Sequence, residues 1–147
     1  MSILVFIESN KNEIKKSSFE SLSYAKKLSK LISSDVIALT INCSEFTPLG
    51  DFGPDKIISI KDKKLELFNA HNYADVISNV SKSVSAKNII ISDSINCKYL
   101  ASLLSVKLNA AFVSNVVSLP NSTNPFAVKE VLFQIRHFVE SKLILKS

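Results

Sequence analysis

The sequence predicts an α/β domain, a three-layer sandwich in which helices flank a mostly parallel β-sheet. Short runs of branched apolar residues alternate with longer segments whose apolar residues recur at helical spacing. This alternation is typical of a parallel sheet covered by helices on its faces. The chain has 147 residues, the usual size of one domain with its own core, so a single domain over residues 1–147 is expected.

The predicted strands are short and nearly continuous in apolar residues, as strands are when both faces of the sheet are covered. Four such runs are Ser2–Ile7, Val36–Ile41, Lys56–Ile60 and Asn88–Ser92. The run Ala110–Leu119 predicts a fifth strand.

Three segments between these strands predict amphipathic helices. The first follows a pair of lysines, and either Ser17 or Ser18 is expected to cap its first turn. The apolar stripes consist of Phe19, Leu22, Ala25, Leu28 and Ile32 in the first helix, of Tyr73, Val76, Ile77, Val80 and Val84 in the second, and of Cys97, Leu100, Ala101, Leu104 and Leu108 in the third.

The segment 126–146 permits two interpretations. Its apolar residues fit a helical stripe, but they are rich in branched and aromatic types, and "KLILK" near its end is typical of a strand. Periodicity alone does not decide between a helix and a C-terminal β-hairpin.

Composition and charge exclude several classes of protein. No apolar run approaches the ~20 residues that span a bilayer, and the apolar run at the N-terminus is too short for a signal peptide. A cytoplasmic protein without membrane insertion is therefore expected. The two cysteines, Cys43 and Cys97, form neither a disulfide framework nor a zinc motif.

The net charge of +5 does not predict a nucleic-acid partner. The positive charge comes from dispersed lysines, and Arg136 is the single arginine. Arginine is the residue suited to bidentate contacts with phosphate and guanine. The sequence also has no tryptophan and no alternation of basic and aromatic residues, so no nucleic-acid binding is expected.

Glycine is too rare for a phosphate-binding loop. The sequence has only Gly50 and Gly53, and the loop between the first strand and the first helix, Glu8–Lys16, has none. Glycine-rich loops bring backbone amides close to phosphate. The sequence therefore contains neither a P-loop nor a dinucleotide-binding fingerprint.

The polar turn between the fourth strand and the third helix, Ser92–Lys98, lies where open α/β sheets often bind ligands. Asp93 and Ser94 are expected to cap the helix. Cys97 falls on the apolar stripe and is expected to be a buried structural thiol, although a position in the first turn of a helix can lower a thiol pKa.

The remaining polar candidates do not form a catalytic set. His71 precedes a helix and is expected at a capping or surface position, and His137 lies in the ambiguous tail. Asp75 and Asp93 could form an acid/base pair, but nothing in the sequence indicates that they meet. We therefore predict no catalytic, cofactor-binding or metal-binding residues, and no enzymatic activity.

Several segments, taken in order, resemble the N-terminal domain of the electron transfer flavoprotein alpha subunit. They are "MSILVFIES", the helix beginning "SSFESLSYAKKLS", "VIALTI" and "LGDFGPDKI". The polar turn and third helix match a family pattern at Lys98, Leu100, Ala101 and Leu108. Ser114 matches the following strand, where Asn115 replaces an acid, and "FAVKEVLFQIRHF" resembles a family hairpin, which favours two strands in the tail.

The chain departs from the family pattern at several positions. The family prefers glycine at Cys97 and Ile135, Pro-Arg at Ser102-Leu103, and Arg-Pro at Glu130-Val131. The family's alpha chain also continues into a second domain that binds FAD, whereas this sequence stops at Ser147. Three alternatives remain open: a fragment, a protein without the cofactor domain, or a cofactor domain on another polypeptide.

The resemblance implies a scaffold function. Such a domain would pair with the beta subunit as a heterodimer and position an FAD-bearing domain, which carries electrons from acyl-CoA-type dehydrogenases of fatty acid oxidation to a quinone oxidoreductase and the respiratory chain. FAD is expected in the assembly and not on this chain. Two alternatives are a stand-alone nucleotide-binding module of the universal-stress type and a small enzyme that uses Cys97 or a carboxylate.

Overall fold

The computed structural model describes residues 2–92 and 94–116 and three short segments, 122–123, 126–127 and 141–146. Side chains are described up to residue 110. The helices are α1 (Lys16–Ile32), α2 (Ala70–Ser83) and α3 (Ile95–Leu108). The strands are β1 (Ser2–Ile7), β2 (Ser9–Asn10), β3 (Glu13–Ile14), β4 (Asp35–Ile41), β5 (Lys56–Ile60), β6 (Ala86–Ser92), β7 (Ala110–Val116), β8 (Ser122–Thr123), β9 (Phe126–Ala127) and β10 (Ser141–Lys146).

Six of the strands form one sheet with the order β5-β4-β1-β6-β10-β7. The four strands β5, β4, β1 and β6 are parallel to one another. Strand β10 runs antiparallel to both β6 and β7. The sheet is therefore mostly parallel, and the predicted α/β fold is confirmed.

The sheet separates two apolar clusters, which makes the three layers. In β1, Leu4 and Phe6 pack in the cluster that contains residues of α2 and α3. The alternate residues Ile3, Val5 and Ile7 pack in the cluster that contains residues of α1. Because all of β1 is buried, it is covered on both faces, as its continuous apolar sequence predicts.

The predicted strands and helical stripes are found at the predicted places. The fifth predicted strand corresponds to β7, and its last residues, 117–119, lie outside the described part. The stripes of α1 and α3 bury Leu22, Leu28, Leu100 and Leu104 completely. In α2, Ile77 is buried and its neighbours on the stripe are partly buried against the same cluster.

The predicted cap of α1 is wrong. The helix begins at Lys16, and the residue before it, Lys15, makes no side-chain capping bond. Ser18 lies within the first turn of the helix, where its hydroxyl forms hydrogen bonds with the backbone N–H and oxygen of Glu8. The serine therefore fixes the end of β1 against α1 rather than capping the helix.

Both ends of the ambiguous segment 126–146 are strands. Phe126–Ala127 pairs with Ser122–Thr123, and Ser141–Lys146 enters the main sheet between β6 and β7. The choice between helix and strand for residues 128–140 falls outside the described residues. Among the residues that are described, no helix has both the length and the apolar character needed to cross a bilayer.

Candidate functional site

A cleft of about 530 Å³ lies at the carboxyl ends of β1 and β4. This is the edge of an open parallel sheet where ligands usually bind. Its walls come from the ends of both strands, from the β2–β3 hairpin and from the segment before α2. The lining includes Phe6, Ile7, Glu8, Ser9, Asn10, Lys11, Asn12, Lys15, Ile41, Asn42, Leu65, Glu66, Leu67, Phe68, Tyr73 and Asn96.

The β2–β3 hairpin replaces the glycine-rich loop found in nucleotide-binding folds. Its turn residues Lys11 and Asn12 have φ angles of 49° and 69°, in the left-handed region that asparagine tolerates better than most residues. The Asn12 side-chain oxygen accepts hydrogen bonds from the backbone N–H (3.1 Å) and hydroxyl (3.2 Å) of Ser44. The hairpin is thereby tied to the loop after β4.

A second asparagine holds the opposite wall. Asn42, with φ 52°, donates from its amide to the backbone oxygen of Asp62 and accepts from the backbone N–H of Asp62, both at 2.8 Å. The Asp62 carboxylate in turn accepts from the N–H of Lys64 at 3.0 Å. These bonds link the ends of β4 and β5 without glycine.

Glu8 is the buried charged residue of the cleft. It follows β1 directly and is 6% exposed. Its backbone N–H donates to the Ser18 hydroxyl at 2.8 Å, and its backbone oxygen accepts from Lys15 N–H at 3.0 Å. These two contacts fix the direction in which the side chain leaves the strand.

The two carboxylate oxygens of Glu8 have different surroundings. Oε2 accepts a hydrogen bond from the Ser94 hydroxyl at 3.1 Å. Oε1 lies 3.4 Å from the Nζ of Lys15, whose side chain is 41% exposed. Oε1 is buried, and the ion pair with Lys15 does not have the geometry of a hydrogen bond. Oε1 therefore accepts no hydrogen bond from the part of the chain that the structure describes.

Ser94 joins this carboxylate to the start of α3. It is the N-cap residue, and its hydroxyl oxygen accepts from the backbone N–H of Cys97 at 3.1 Å. The predicted capping role of Ser94 is confirmed, whereas Asp93 lies outside the described residues. The Glu8 carboxylate thus sits at the positive end of α3, a position that favours an anion.

Cys97 is completely buried, as predicted for a structural thiol. Burial, and next the negative charge of Glu8, raise its pKa to about 11, against the smaller opposite effects of Ser94, Ser92 and Lys15. Its position in the first turn of α3 does not lower the pKa, because loss of hydration outweighs the helix dipole. Cys43 is also buried and unpaired with another cysteine.

The other predicted candidates are dispersed. His71 lies inside the first turn of α2, exposed, with its ring 6.3 Å from that of Tyr99. Asn69 caps this helix instead, accepting from the N–H of Asn72. Asp75 forms an ion pair with Lys107 between α2 and α3. His137 and Asp93 lie outside the described residues, so the acid/base pair of Asp75 with Asp93, for which the sequence gave no sign, is not tested.

One wall of the cleft is aromatic. The ring of Tyr73 meets those of Phe68 at 4.9 Å and Phe6 at 6.0 Å, both edge to face. Its hydroxyl donates to the backbone oxygen of Leu65 at 2.9 Å. Burial, and next the charge of Glu8, raise the pKa of Tyr73. The cleft therefore combines an apolar wall with a buried carboxylate.

The sequence pointed to the polar turn but not to the importance of Glu8. The available signal was an acidic residue directly after a nearly continuous apolar strand, together with a predicted helix cap after a second such strand. No group of three or more His, Cys, Asp or Glu side chains suited to a metal ion occurs in the described ranges.

The search of curated proteins gives no match. The family described as "Electron transfer flavoprotein domain" matches residues 3–144, which include the sheet, all three helices and the cleft. The chain belongs to the electron transfer flavoprotein domain family.

Proposed function

We propose that this chain is the N-terminal scaffold domain of an electron transfer flavoprotein alpha subunit. It pairs with the beta subunit and positions an FAD-bearing domain that carries electrons from acyl-CoA-type dehydrogenases toward a quinone oxidoreductase and the respiratory chain. The proposal places it in the cytoplasm, as a single domain over residues 1–147. The observation that carries it is the family match over residues 3–144.

The cleft supports a flavin site on another domain or chain. Flavin dinucleotides are usually held by their pyrophosphate at a helix N-terminus. At α3 that position holds the Glu8 carboxylate, bound to the cap residue Ser94. Near the start of α1, the N–H groups of Lys15 and Ser18 already donate to the backbone oxygens of Glu8 and Lys15. A pyrophosphate would meet a buried negative charge and occupied donors.

The outer surface of α3 supports a protein partner. Ile95 is 88% exposed, Tyr99 57% and Val106 83%. Large exposed apolar residues grouped on one element are typical of interaction surfaces. The assigned role is therefore that of a component of the assembly without its own catalytic residues, which agrees with the raised pKa and complete burial of Cys97.

Co-expression with the beta subunit of the same organism, followed by size-exclusion chromatography, tests the pairing. We expect the two chains to co-elute, and Ile95→Asp to weaken the complex because it places a charge in an apolar contact. Leu31→Asp is the matched control, since Leu31 is an exposed apolar residue (51%) on α1 in the opposite layer. A chain that stays monomeric beside the beta subunit, yet binds ATP or AMP in calorimetry, would favour the nucleotide-binding alternative.

An absorption spectrum tests the assignment of the cofactor. The purified chain should be colourless, because its cleft opposes a pyrophosphate with the Glu8 carboxylate. The assembly with a flavin-domain polypeptide should show the flavin band. A stoichiometric flavin band from the chain alone would disprove the proposal that another domain or chain binds the FAD.

A further inference from the structure

The cleft has features that a scaffold does not require. It is concave, and its volume of about 530 Å³ falls within the usual range for small-molecule sites, roughly 300–1,000 Å³. We propose that it binds a small uncharged molecule that combines an aromatic or other flat apolar face with a hydroxyl or amino hydrogen-bond donor.

The donor requirement follows from Glu8. A buried carboxylate oxygen without a hydrogen bond is costly, because it has lost its water. Oε1 receives no hydrogen bond from the described residues, while Oε2 accepts one from Ser94. Lys15 neutralises part of the charge but does not form the bond, since its Nζ lies 3.4 Å away without suitable geometry. A ligand hydroxyl or amino group at this oxygen would supply the missing donor.

The absence of ligand charge follows from the lining. The charged side chains among the described residues of the cleft are Glu8, Lys11, Lys15 and Glu66, and their formal charges cancel. An anionic ligand would face the buried Glu8, which is less screened than the exposed lysines. A cationic ligand would approach Oε1 beside Lys15, which already occupies that side.

The apolar face follows from the aromatic wall. Phe68 is 37% exposed and Leu67 84% exposed, although both lie against the cleft, and Phe68 is held edge to face by Tyr73. Flat apolar molecules stack well on such rings. The remaining polar lining is dominated by asparagine side chains, which suit neutral hydrogen-bonding groups.

Two bicyclic probes of the same size separate these requirements: 2-naphthalenemethanol, which is neutral and carries a donor, and 2-naphthoate, which is an anion. Each is titrated into the 15N-labelled full chain and followed by NMR. We expect the alcohol to shift the resonances of cleft residues at millimolar concentration and the carboxylate to bind about tenfold more weakly, which corresponds to about 1.4 kcal/mol.

Substitution of Glu8 should change the affinities for the two probes in opposite directions, whereas a disturbed fold should weaken the binding of both. Glu8→Gln keeps the shape, removes the charge and leaves a weaker acceptor. It should lower the affinity for the alcohol severalfold and raise the affinity for the carboxylate. Glu13→Gln, at an exposed position in the β2–β3 hairpin but outside the lining, should change neither affinity.

Phe68→Ala provides a second variant if Glu8→Gln folds poorly, because Phe68 lies at the rim of the cleft. It should weaken the binding of the alcohol while the spectrum remains that of a folded chain. The proposal is overturned if 2-naphthalenemethanol causes no shifts at the cleft or shifts that are scattered over the surface. It is also overturned if 2-naphthoate binds the unsubstituted chain as tightly as the alcohol does.

Discussion

At the scale of single residues, the chain builds most of its left-handed turns without glycine, although Gly53 also has a positive φ. Within the part of the chain that the structure describes, six non-glycine residues have positive φ angles: Lys11, Asn12, Ser33, Asn42, Ser85 and Asn109. Half of them are asparagines, whose short polar side chains tolerate this region. Two of these asparagines bind the backbone of neighbouring loops. The scarcity of glycine argued against a glycine-rich phosphate loop, but it did not indicate the tight hairpin that is found after β1.

Cys97 predicts a pH dependence of stability. Its pKa rises from the ordinary value of 9.0 to about 11 on folding, so the unfolded chain releases a proton in a range where the folded chain keeps it. Stability is therefore lost as pH rises from about 9 to about 11, with a slope of at most about 1.4 kcal/mol per pH unit. Denaturant unfolding at several pH values measures this slope.

The control for this effect is Cys97→Ala. The variant should be less stable at neutral pH, because it leaves a cavity, but its stability should fall less steeply above pH 9. Equal slopes in the two proteins would show that ionisation of Cys97 does not contribute to the loss of stability.

At the scale of elements, the success of prediction depended on the length of each element. The long branched runs and helical stripes gave the main strands and helices, because burial on fixed faces imposes a period on the sequence. The two-residue strands β2 and β3 are too short to show a period. The start of α1 was misplaced because serine is a common capping residue. Ser18 instead accepts a hydrogen bond from the backbone N–H of Glu8, at the end of β1.

The candidate site could be predicted only in part, because some of its contacts are local in sequence and others are not. The cap at Ser94 could be predicted locally, since the capping bond spans three residues. Its contact with Glu8 joins positions 86 residues apart. Such pairs depend on which strands are neighbours and on side-chain direction, which a single sequence does not specify.

Ser94 gives the prediction at this scale. Ser94→Ala removes the cap of α3 and the hydrogen bond to Glu8 Oε2, so we expect the free energy of unfolding to fall by about 1–3 kcal/mol. Ser102→Ala is the control, because Ser102 is exposed on the same helix and binds only the backbone oxygen of Lys98. Ser94→Thr should retain most of the stability. Thermal unfolding of the three variants checks these values, and equal losses for Ser94→Ala and Ser102→Ala would contradict the bridging role.

At the scale of the whole molecule, the sheet depends on its last strand. In the order β5-β4-β1-β6-β10-β7, the described strand pairings link β7 to the parallel strands through β10. The sequence indicated the parallel strands, left helix and strand open at "KLILK", and did not indicate that this segment inserts between β6 and β7. Pairing between distant segments has no local signal.

Removal of residues 141–147 should therefore affect more than the chain end. We expect the truncated chain to lose the hydrogen-bonded partner of β7 and to expose the edge of β6, which favours aggregation. Hydrogen exchange should show loss of protection in 110–116 while β1 and β4 remain protected. Unchanged protection of 110–116 would show that β7 is held by other contacts.

The position of β10 also determines when the sheet can be completed during synthesis of the chain. The ribosome completes Ser141 about 50 residues after Ser92, which at cellular rates of 5–20 residues per second is a delay of about 2–10 s. During this interval the four parallel strands can already assemble, while the hydrogen-bonding edge of β6 has no neighbour. The nascent chain therefore passes through a stage with an open, apolar sheet edge, at which chaperones or an early partner can act before the fold is closed.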